Sequence, residues 1–413
     1  MAGSTTRPIV ATAILTLLSA APGGTQDRPP EPDVVFPAGR PSVEVSATVF
    51  NNVVYLPVSV NGGEPLAFAL DTGAPELSAV ELTHASELGL TAGPAMTVRG
   101  AESRRLDVRR LEGASLSVGG VTARNLEVVA MPLNRLEPFW GHPMDGILGG
   151  NFLNRVVTCI DYDRQRVTFV RSDAFNPDAH GSAVPIEVED NTLFITAQVS
   201  AGDGRPAGPG RFLVDTGVRQ TFLNSPFVAR HRLLERSGPV IETVTGYGIS
   251  GPAFGALGRL GALSLGPHTL AEPIVQLCSG TSGIESSRVF DGIIGADLLS
   301  RFSVCIDYSG RTMYLDPGTG MSDPFPANAG GLVFRVSKDD PGSFTVAHVV
   351  EGSPADRAGI RIGDTVVAAN GRPSAALTLE DLIEAQRQTG ECCVDLRRNG
   401  ETREICFELQ PSI

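Results

Sequence analysis

Short apolar stretches separated by glycine-rich turns recur along most of the chain. Residues 53–60 (VVYLPVSV) are followed by the turn Asn61-Gly62-Gly63 and by a second apolar stretch at 66–70 (LAFAL). Two apolar runs joined by a tight glycine turn predict a β-hairpin. Within residues 43–316, helical signal is confined to short segments at 83–88, 151–155 and 297–302. The pattern therefore predicts a mostly β protein.

The most informative feature is an internal repeat, in which residues 43–171 resemble residues 184–316. The shared landmarks are Asp-Thr-Gly at 71 and 215, Asp-Gly-Ile-Leu-Gly at 145 and Asp-Gly-Ile-Ile-Gly at 291, and cysteines at 159 and 305. The first pair lies 144 residues apart (215 − 71), and the other two lie 146 apart (291 − 145 and 305 − 159). Matching order and spacing indicate a duplicated unit, so we expect two similar units related by a pseudo-twofold axis.

The two Asp-Thr-Gly motifs carry the candidate chemistry. Each follows an apolar strand, and a pseudo-twofold axis would bring Asp71 and Asp215 face to face. Two adjacent carboxyl groups cannot both ionise cheaply, so they share a proton. The ionised group can deprotonate a water molecule while the protonated group donates a hydrogen bond to a scissile carbonyl. Such hydrolysis requires no metal ion, no cofactor and no covalent intermediate.

These motifs resemble those of the pepsin and retropepsin superfamily of aspartic proteases, over residues 43–316. The resemblance implies a bilobal pepsin/retropepsin-like fold made of two fused retropepsin-like units, and an aspartic endopeptidase whose catalytic residues are Asp71 and Asp215. It implies that four neighbours support the two catalytic loops, namely Thr72, Gly73, Thr216 and Gly217. It also places strands at 147–149 and 293–295 beneath those loops.

The repeat also predicts two flaps. Alignment of the repeats places flaps near 98–105 and 244–251, with the candidate flap residues Gly100, Gly246, Tyr247 and Gly248. Glycines suit a mobile flap.

Val218 stands where the superfamily has a small residue, and it favours the rival hypothesis of a catalytically degenerate binding protein with a protease fold. A further alternative pairs units from two chains, although the short connection at 172–183 favours pairing within one chain.

The C-terminal part, residues 330–413, follows a turn-rich linker and resembles a bacterial PDZ domain. The resemblance rests on the segments 331–334 (GLVF), 349–360 (VVEGSPADRAGI) and 363–371 (GDTVVAANG). It implies a nest that captures the C-terminal carboxylate of a peptide, formed by Gly331, Leu332, Val333 and Phe334. A second helix, capped by Thr378 and Asp381, would form the other wall of the groove. The open alternative is a stabilising or autoinhibitory module that binds no free peptide.

A disulfide is predicted between Cys393 and Cys406. Asn399-Gly400 is a strong two-residue hairpin signal, which pairs Arg398 with Glu401 and, further out, Cys393 with Cys406. Strand alternation places both cysteines on the same face of the hairpin, at a non-hydrogen-bonded pair where Cβ atoms approach closely. The alternative is two free thiols, and the pairing of the other four cysteines stays open.

The N-terminus has the features of an export signal. Residues 1–21 contain one arginine, an apolar stretch of about 13 residues that is too short to span a bilayer, and a small-residue end. Residues 22–42 are rich in proline and glycine and predict a flexible leader. We therefore expect a periplasmic or secreted protein with no stable membrane insertion, in a compartment that permits disulfides.

Composition narrows the choice of function further. The formal net charge is −13 and no basic cluster is present, so nucleic acid is an unsuitable partner. The six histidines are scattered without metal-ligand spacing, and no Gly-x-Ser-x-Gly or Cys-x-x-Cys motif occurs. The expected partners are protein or peptide substrates, recruited through their C-terminal tails at the PDZ groove.

Overall fold

The protein's structure is a computed structural model that describes residues 33–85, 87–99, 105–248, 251–337, 342–411 and 413. Within these residues the chain forms three β-sheets of nine, fifteen and six strands. The fold is mostly β, as the sequence predicts, and its helices are only four to seven residues long.

The first unit contains most of the nine-stranded sheet. Its elements are β1 (Asp33–Val35), β2 (Ser42–Ser46), β3 (Thr48–Phe50), β4 (Val53–Val60), β5 (Pro65–Leu70), β6 (Ser78–Glu81), β7 (Thr91–Arg99), β8 (Arg105–Val118), β9 (Val121–Met131), α1 (Glu137–Trp140), β10 (Gly146–Leu148), α2 (Gly150–Leu153), β11 (Val157–Asp161) and β12 (Arg166–Val170). The predicted hairpin is β4 and β5, which pair antiparallel. The almost continuously apolar β4 is buried along most of its length, because layers cover both of its faces.

The second unit repeats this arrangement. Its elements are β13 (Ser182–Glu189), β14 (Thr192–Ser200), β15 (Pro206–Val214), β16 (Phe222–Leu223), α3 (Ser225–His231), α4 (Leu233–Arg236), β17 (Val240–Gly248), β18 (Gly251–Arg259), β19 (Ala262–Leu265), β20 (His268–Ala271), β21 (Ile274–Leu277), β22 (Gly292–Ile294), α5 (Ala296–Leu299), β23 (Phe302–Asp307) and β24 (Thr312–Pro317). The predicted short helices at 151–155 and 297–302 correspond to α2 and α5.

Six strands join the two units within one chain. They follow the order β2, β12, β11, β23, β24 and β13, and the central neighbours β11 and β23 pair antiparallel. Cys159 lies directly opposite Cys305 in this pair, and a disulfide connects them. Because these cysteines occupy the same position in the two repeats, the pseudo-twofold axis passes between them.

The C-terminal part forms the six-stranded sheet with two helices. Its elements are β25 (Leu332–Val336), β26 (Phe344–Val349), α6 (Pro354–Arg357), β27 (Thr365–Ala369), β28 (Arg372–Pro373), α7 (Leu379–Ala385), β29 (Gly390–Arg398) and β30 (Glu401–Leu409). Ser353 caps α6, and Thr378 forms a capping box with Asp381 at the start of α7. These caps satisfy amide groups that the first helical turn leaves unpaired.

This C-terminal part packs against both repeat units. Phe50 of the first unit contacts its apolar core, and β25 runs beside α1. A Cβ atom on Gly141, just after α1, would lie 2.8 Å from Cβ of Leu379 in α7. In the second unit the ring of Phe254 lies 5.9 Å from that of His348. The turn-rich linker at 316–329 therefore connects parts that are in contact.

Two sequence predictions require correction. The leader at 22–42 is not flexible throughout, because Asp33–Val35 pairs with β9 and the side chains of Val34 and Phe36 pack on the main core. The short apolar run at 34–36 outweighs the surrounding prolines. The described residues around 83–88 form hydrogen-bonded turns in place of a helix.

The predicted signal at 1–21 lies outside the described residues. Among the helices of the described part, none has the length and apolar character needed to cross a membrane.

Candidate active site

Each Asp-Thr-Gly loop begins where a buried strand ends. Asp71 follows β5, whose parallel neighbour is β10, and the Asp71 amide donates to the Leu148 carbonyl at 3.1 Å. Asp215 follows β15, which pairs in parallel with β22, and its amide donates to the Ile294 carbonyl at 3.0 Å. The two apolar-apolar-Gly strands thus lie beside and beneath the loops. A Cβ atom on Gly149 would lie 2.2 Å from the Leu77 carbonyl oxygen, which explains the glycine in this motif.

The two loops are connected by reciprocal hydrogen bonds of the threonines. The amide of Thr72 donates to Thr216 Oγ1 at 3.1 Å, and the amide of Thr216 donates to Thr72 Oγ1 at the same distance. Thr72 Oγ1 donates to the Val214 carbonyl, and Thr216 Oγ1 donates to that of Leu70, both at 2.8 Å. All of these bonds are buried, so they hold the loops in one relative position.

The glycines allow the two carboxyl groups to approach the opposite loops. A Cβ atom on Gly73 would lie 2.1 Å from Asp215 Oδ2, and one on Gly217 would lie 2.5 Å from Asp71 Cγ. Each carboxyl group therefore lies against the glycine of the other unit. Asp71 and Asp215, which are far apart in sequence, are brought together around the pseudo-twofold axis.

Burial and mutual proximity perturb both carboxyl groups. Asp71 and Asp215 are fully buried. Burial raises the pKa of Asp71 well above its usual range, and the negative charge of Asp215 raises it further. Burial also raises the pKa of Asp215, but hydrogen bonds from the Gly217 amide, from Asp71 and from the Val218 amide oppose the rise. The two carboxyl groups therefore titrate as one coupled pair that can share a proton.

Val218 does not displace the second carboxyl group. Its amide donates to Asp215 Oδ1 at 3.0 Å, beside the Gly217 amide at 2.8 Å. Its side chain is buried in an apolar cluster with Phe222 and Ile293. The larger residue therefore fills space within the second unit.

Each loop has a polar support that the sequence analysis missed. In the first unit Ser78 Oγ donates to Asn151 Oδ1 at 2.6 Å and accepts from the Gly149 amide. In the second unit Thr221 Oγ1 donates to Asp297 Oδ1, also at 2.6 Å, and accepts from the Gly295 amide. The signal was present, because positions 151 and 297 correspond in the repeat and both carry a polar residue two positions after the glycine of the apolar-apolar-Gly motif.

Both flaps are antiparallel hairpins, formed by β7 with β8 and by β17 with β18. Gly100 lies outside the described residues, whereas Gly246, Tyr247 and Gly248 lie near the end of β17. The ring of Tyr247 stacks on Phe139 of α1 with 3.5 Å between centroids. Trp140 Nε1 donates to the Tyr247 carbonyl at 3.4 Å, so α1 of the first unit holds the second flap.

Arg219, two residues after Gly217, is a site residue that the sequence analysis did not single out. It is partly buried, and its guanidinium carbon lies 5.0 Å from the centroid of the Trp140 ring. Burial lowers its pKa, the Tyr55 phenol opposes this effect, and Arg387 adds to it. An arginine keeps its charge at neutral pH, so this loop carries a cation where the first loop has Pro75.

The predicted PDZ nest is partly occupied by the protein's own side chains. Gly331, Leu332, Val333 and Phe334 all line a cavity between this domain and the protease units. The Leu332 amide, however, donates to Gln386 Oε1 at 2.8 Å, and Gln386 Nε2 donates back to the Leu332 carbonyl at 3.1 Å. The Gly331 amide donates to Asn328 Oδ1 at 2.8 Å. A carboxylate must therefore displace Gln386 or bind further along β25.

The C-terminal hairpin contains the disulfide that its register predicts. Cys393 lies opposite Cys406 between β29 and β30, and the two are covalently joined. Cys392 and Val394 face the core from the same strand. The other two cysteines, Cys278 and Cys392, are free and buried.

Comparison with known proteins agrees with this architecture. The aspartyl protease family model matches residues 56–152 and again residues 196–298, and a PDZ domain family model matches residues 345–397. The chain therefore carries two aspartyl protease repeats, each of them retropepsin-like, followed by a PDZ domain. The predicted nest at 331–334 precedes the matched PDZ segment.

Among solved structures, the crystal structure of aspartic proteinase from Irpex lacteus matches 68% of this chain and 99% of its own. The sequence identity is 15% and the TM-score is 0.46. No curated protein sequence matches the chain.

Proposed function

We propose that this protein is an aspartic endopeptidase in which Asp71 and Asp215 act as one catalytic pair. The observation that carries this proposal is the placement of each buried carboxyl group against the glycine of the opposite loop. The threonine bonds hold this arrangement before any substrate binds, and a preorganised polar site is the main source of rate enhancement in many enzymes.

The asymmetry between the two carboxyl groups suggests their roles. Asp71 is proposed to hold the shared proton, because its carboxyl group accepts one amide hydrogen bond, from Gly73, whereas Asp215 accepts two. Asp215, held ionised by the Gly217 and Val218 amides, takes a proton from the attacking water. Asp71 then donates its hydrogen bond to the carbonyl oxygen, where negative charge develops. Val218 gives no support to the degenerate alternative, since its amide takes part in holding Asp215.

We further propose that the PDZ domain recruits protein or peptide substrates by adding a ligand strand beside β25. In the described part of the sheet, β25 is an edge strand that pairs only with β26, so beyond Leu332, which is hydrogen-bonded to Gln386, its other side can accept a peptide. Its position next to α1, which holds the second flap, would deliver a bound chain close to the catalytic loops.

An exported location, periplasmic or secreted, is part of the same proposal. Its support is the sequence of residues 1–21 together with two disulfides, which persist in oxidising compartments. Peptide mapping of the natural protein without reduction tests this part. Linked peptides and a mature N-terminus after residue 21 are expected, whereas reduced cysteines and an intact N-terminus would contradict export.

The peptidase itself is tested by cleavage of an unfolded protein between pH 3 and pH 7. The wild type should cut internal peptide bonds, and a peptide analogue with a hydroxyl group in place of the scissile carbonyl should inhibit it. Asp71→Asn is the matched inactive control. Cleavage that survives in this variant would exclude the proposed mechanism.

A further inference from the structure

A cavity of about 620 Å³ lies beside the second catalytic loop. Its walls come from Arg219 and Gln220 after the Asp-Thr-Gly motif, from β17 of the second flap, and from β25 and α7 of the PDZ domain. Arg219 and Gln220 follow Asp215 by four and five residues, so the cavity lies beside the candidate active site, although neither catalytic aspartate lines it.

Arg219 is the unusual feature of this cavity, because its guanidinium has no hydrogen bond or ion pair with any residue in the described part of the chain. The charged neighbours have other partners. Among the acidic groups, Asp297 accepts hydrogen bonds from Thr221 and Gln220, and Asp163 accepts one from Thr319. Asp323 lies near Arg301, whose guanidinium donates to backbone carbonyls. The other nearby cation, Arg387, forms an ion pair with Glu384. A partly buried and unpaired cation is costly unless a ligand neutralises it.

Other polar groups in the cavity wall also lack partners. Asn51 Nδ2 and Thr245 Oγ1, both on residues that line the cavity, are buried without a hydrogen-bond partner in the described structure. The Tyr55 hydroxyl, which interacts electrostatically with Arg219, is buried and unsatisfied as well. Buried donors are normally paired, so an unpaired cation in a cavity whose wall holds unpaired donors indicates a site for an acceptor that carries negative charge.

We propose that this cavity binds a carboxylate of the substrate peptide and that Arg219 is the residue that selects it. The planar guanidinium fork can bind both carboxylate oxygens, with the hydroxyl and amide donors around it. Because the first loop has Pro75 at the corresponding position, the selection acts on one side of the scissile bond only. This inference rests on the proposed peptidase function and specifies its substrate class.

Binding to an inactive full-length protein tests the inference without relying on cleavage. The probes are fluorescein-labelled octapeptides of fixed apolar sequence, with a single Glu or its isostere Gln at each position in turn, and the protein is Asp71→Asn. At one position the Glu peptide should bind about tenfold more tightly than the Gln peptide. The carboxylate could also be that of the peptide C-terminus, and amidation of the C-terminus distinguishes this source. A loss of affinity on amidation would assign the site to the chain end.

Variants of Arg219 connect this preference to the residue. In Asp71→Asn with Arg219→Gln the ratio of Glu to Gln affinities should fall to about one, whereas Arg219→Lys should retain part of it. Arg164→Gln, in the exposed turn between β11 and β12, is the matched control and should keep the full ratio. A thermal melt of each variant verifies folding.

Different results would overturn the carboxylate site and the peptidase activity. Equal binding of Glu and Gln peptides at every position together with no effect of amidation, or no binding at all, would overturn the carboxylate site. The same holds for a preference that survives Arg219→Gln. Charge-selective binding in Asp71→Asn without any cleavage by the wild type would leave the site in place and overturn the peptidase.

Discussion

The two catalytic loops are alike in the residues that contact each other and differ in the two residues that follow. Asp-Thr-Gly is kept in both, and each threonine and glycine contacts the other loop. The next residues are Ala74-Pro75 in the first loop and Val218-Arg219 in the second. After gene duplication, contacts across the axis constrain both copies at once, whereas pocket residues are free to diverge.

The largest effect is expected for the carboxyl groups themselves. Asp71→Asn and Asp215→Asn should each lower kcat/KM by about a thousandfold or more, because the shared proton requires both groups. The double variant should be little worse than either single one, since the pair acts as a unit. Substantial activity in Asp215→Asn alone would show that the second copy has lost its catalytic role.

The glycines offer the next test of the cross-axis contacts. Gly217→Ala places a methyl group 2.5 Å from Asp71 Cγ, so it should displace that carboxyl group and lower kcat/KM by about a hundredfold. Gly63→Ala, in the exposed turn after β4, is the control. If Gly217→Ala retains wild-type activity, the two carboxyl groups do not depend on the close approach of the loops.

Removal of the PDZ domain should affect even short substrates. The turn-rich linker suggests a separate module whose loss spares short-peptide cleavage, but the domain contacts Phe50 and Phe254 and packs beside α1. Deleting residues 330–413 should lower short-peptide kcat/KM by about tenfold through a less stable second flap. The truncated protein should also carry Phe50→Ser and Phe254→Ser, so that exposed apolar surface does not cause aggregation. Unchanged short-peptide cleavage would restore the view of an independent module.

The smallest effects should come from exchanging the residues that differ. Val218→Ala leaves a void in the second unit's apolar cluster and should lower the free energy of unfolding by about 2 kcal/mol. Ala74→Val overfills the first unit's cluster and should cost a similar amount. Denaturant titration measures both. A stabilised Ala74→Val variant would show that the first pocket has spare room and that the divergence is not a packing requirement.

Local rules predicted much of the structure and long-range contacts account for what they missed. The hairpin of β4 and β5, the caps of α6 and α7 and the register of Cys393 with Cys406 all follow from turn chemistry and strand alternation. The Cys159–Cys305 bridge was left open because it joins strands 146 residues apart. Its equal spacing in the repeat was visible, but only the paired central strands show that the axis passes through it.

The same distinction between local rules and long-range contacts applies to the candidate site. The positions of Asp71 and Asp215 follow from the repeat, since symmetry alone brings equivalent loops together. The unpaired state of Arg219 could not be predicted, because it depends on which distant acidic groups reach it and on how the PDZ domain and the second flap close the cavity. Gln386 in the PDZ nest is a similar case, as its partner Leu332 lies 54 residues earlier.

The pH dependence of kcat/KM is the most direct test of a shared proton. Activity requires one proton on the pair, and burial raises the pKa of both carboxyl groups. The rate should therefore rise with pH as Asp215 ionises, above the usual range of an aspartate, and fall at higher pH as Asp71 loses its proton. Circular dichroism at each pH excludes unfolding as the cause. A bell-shaped profile is the predicted result, and a profile without the high-pH limb up to pH 9 would contradict the account.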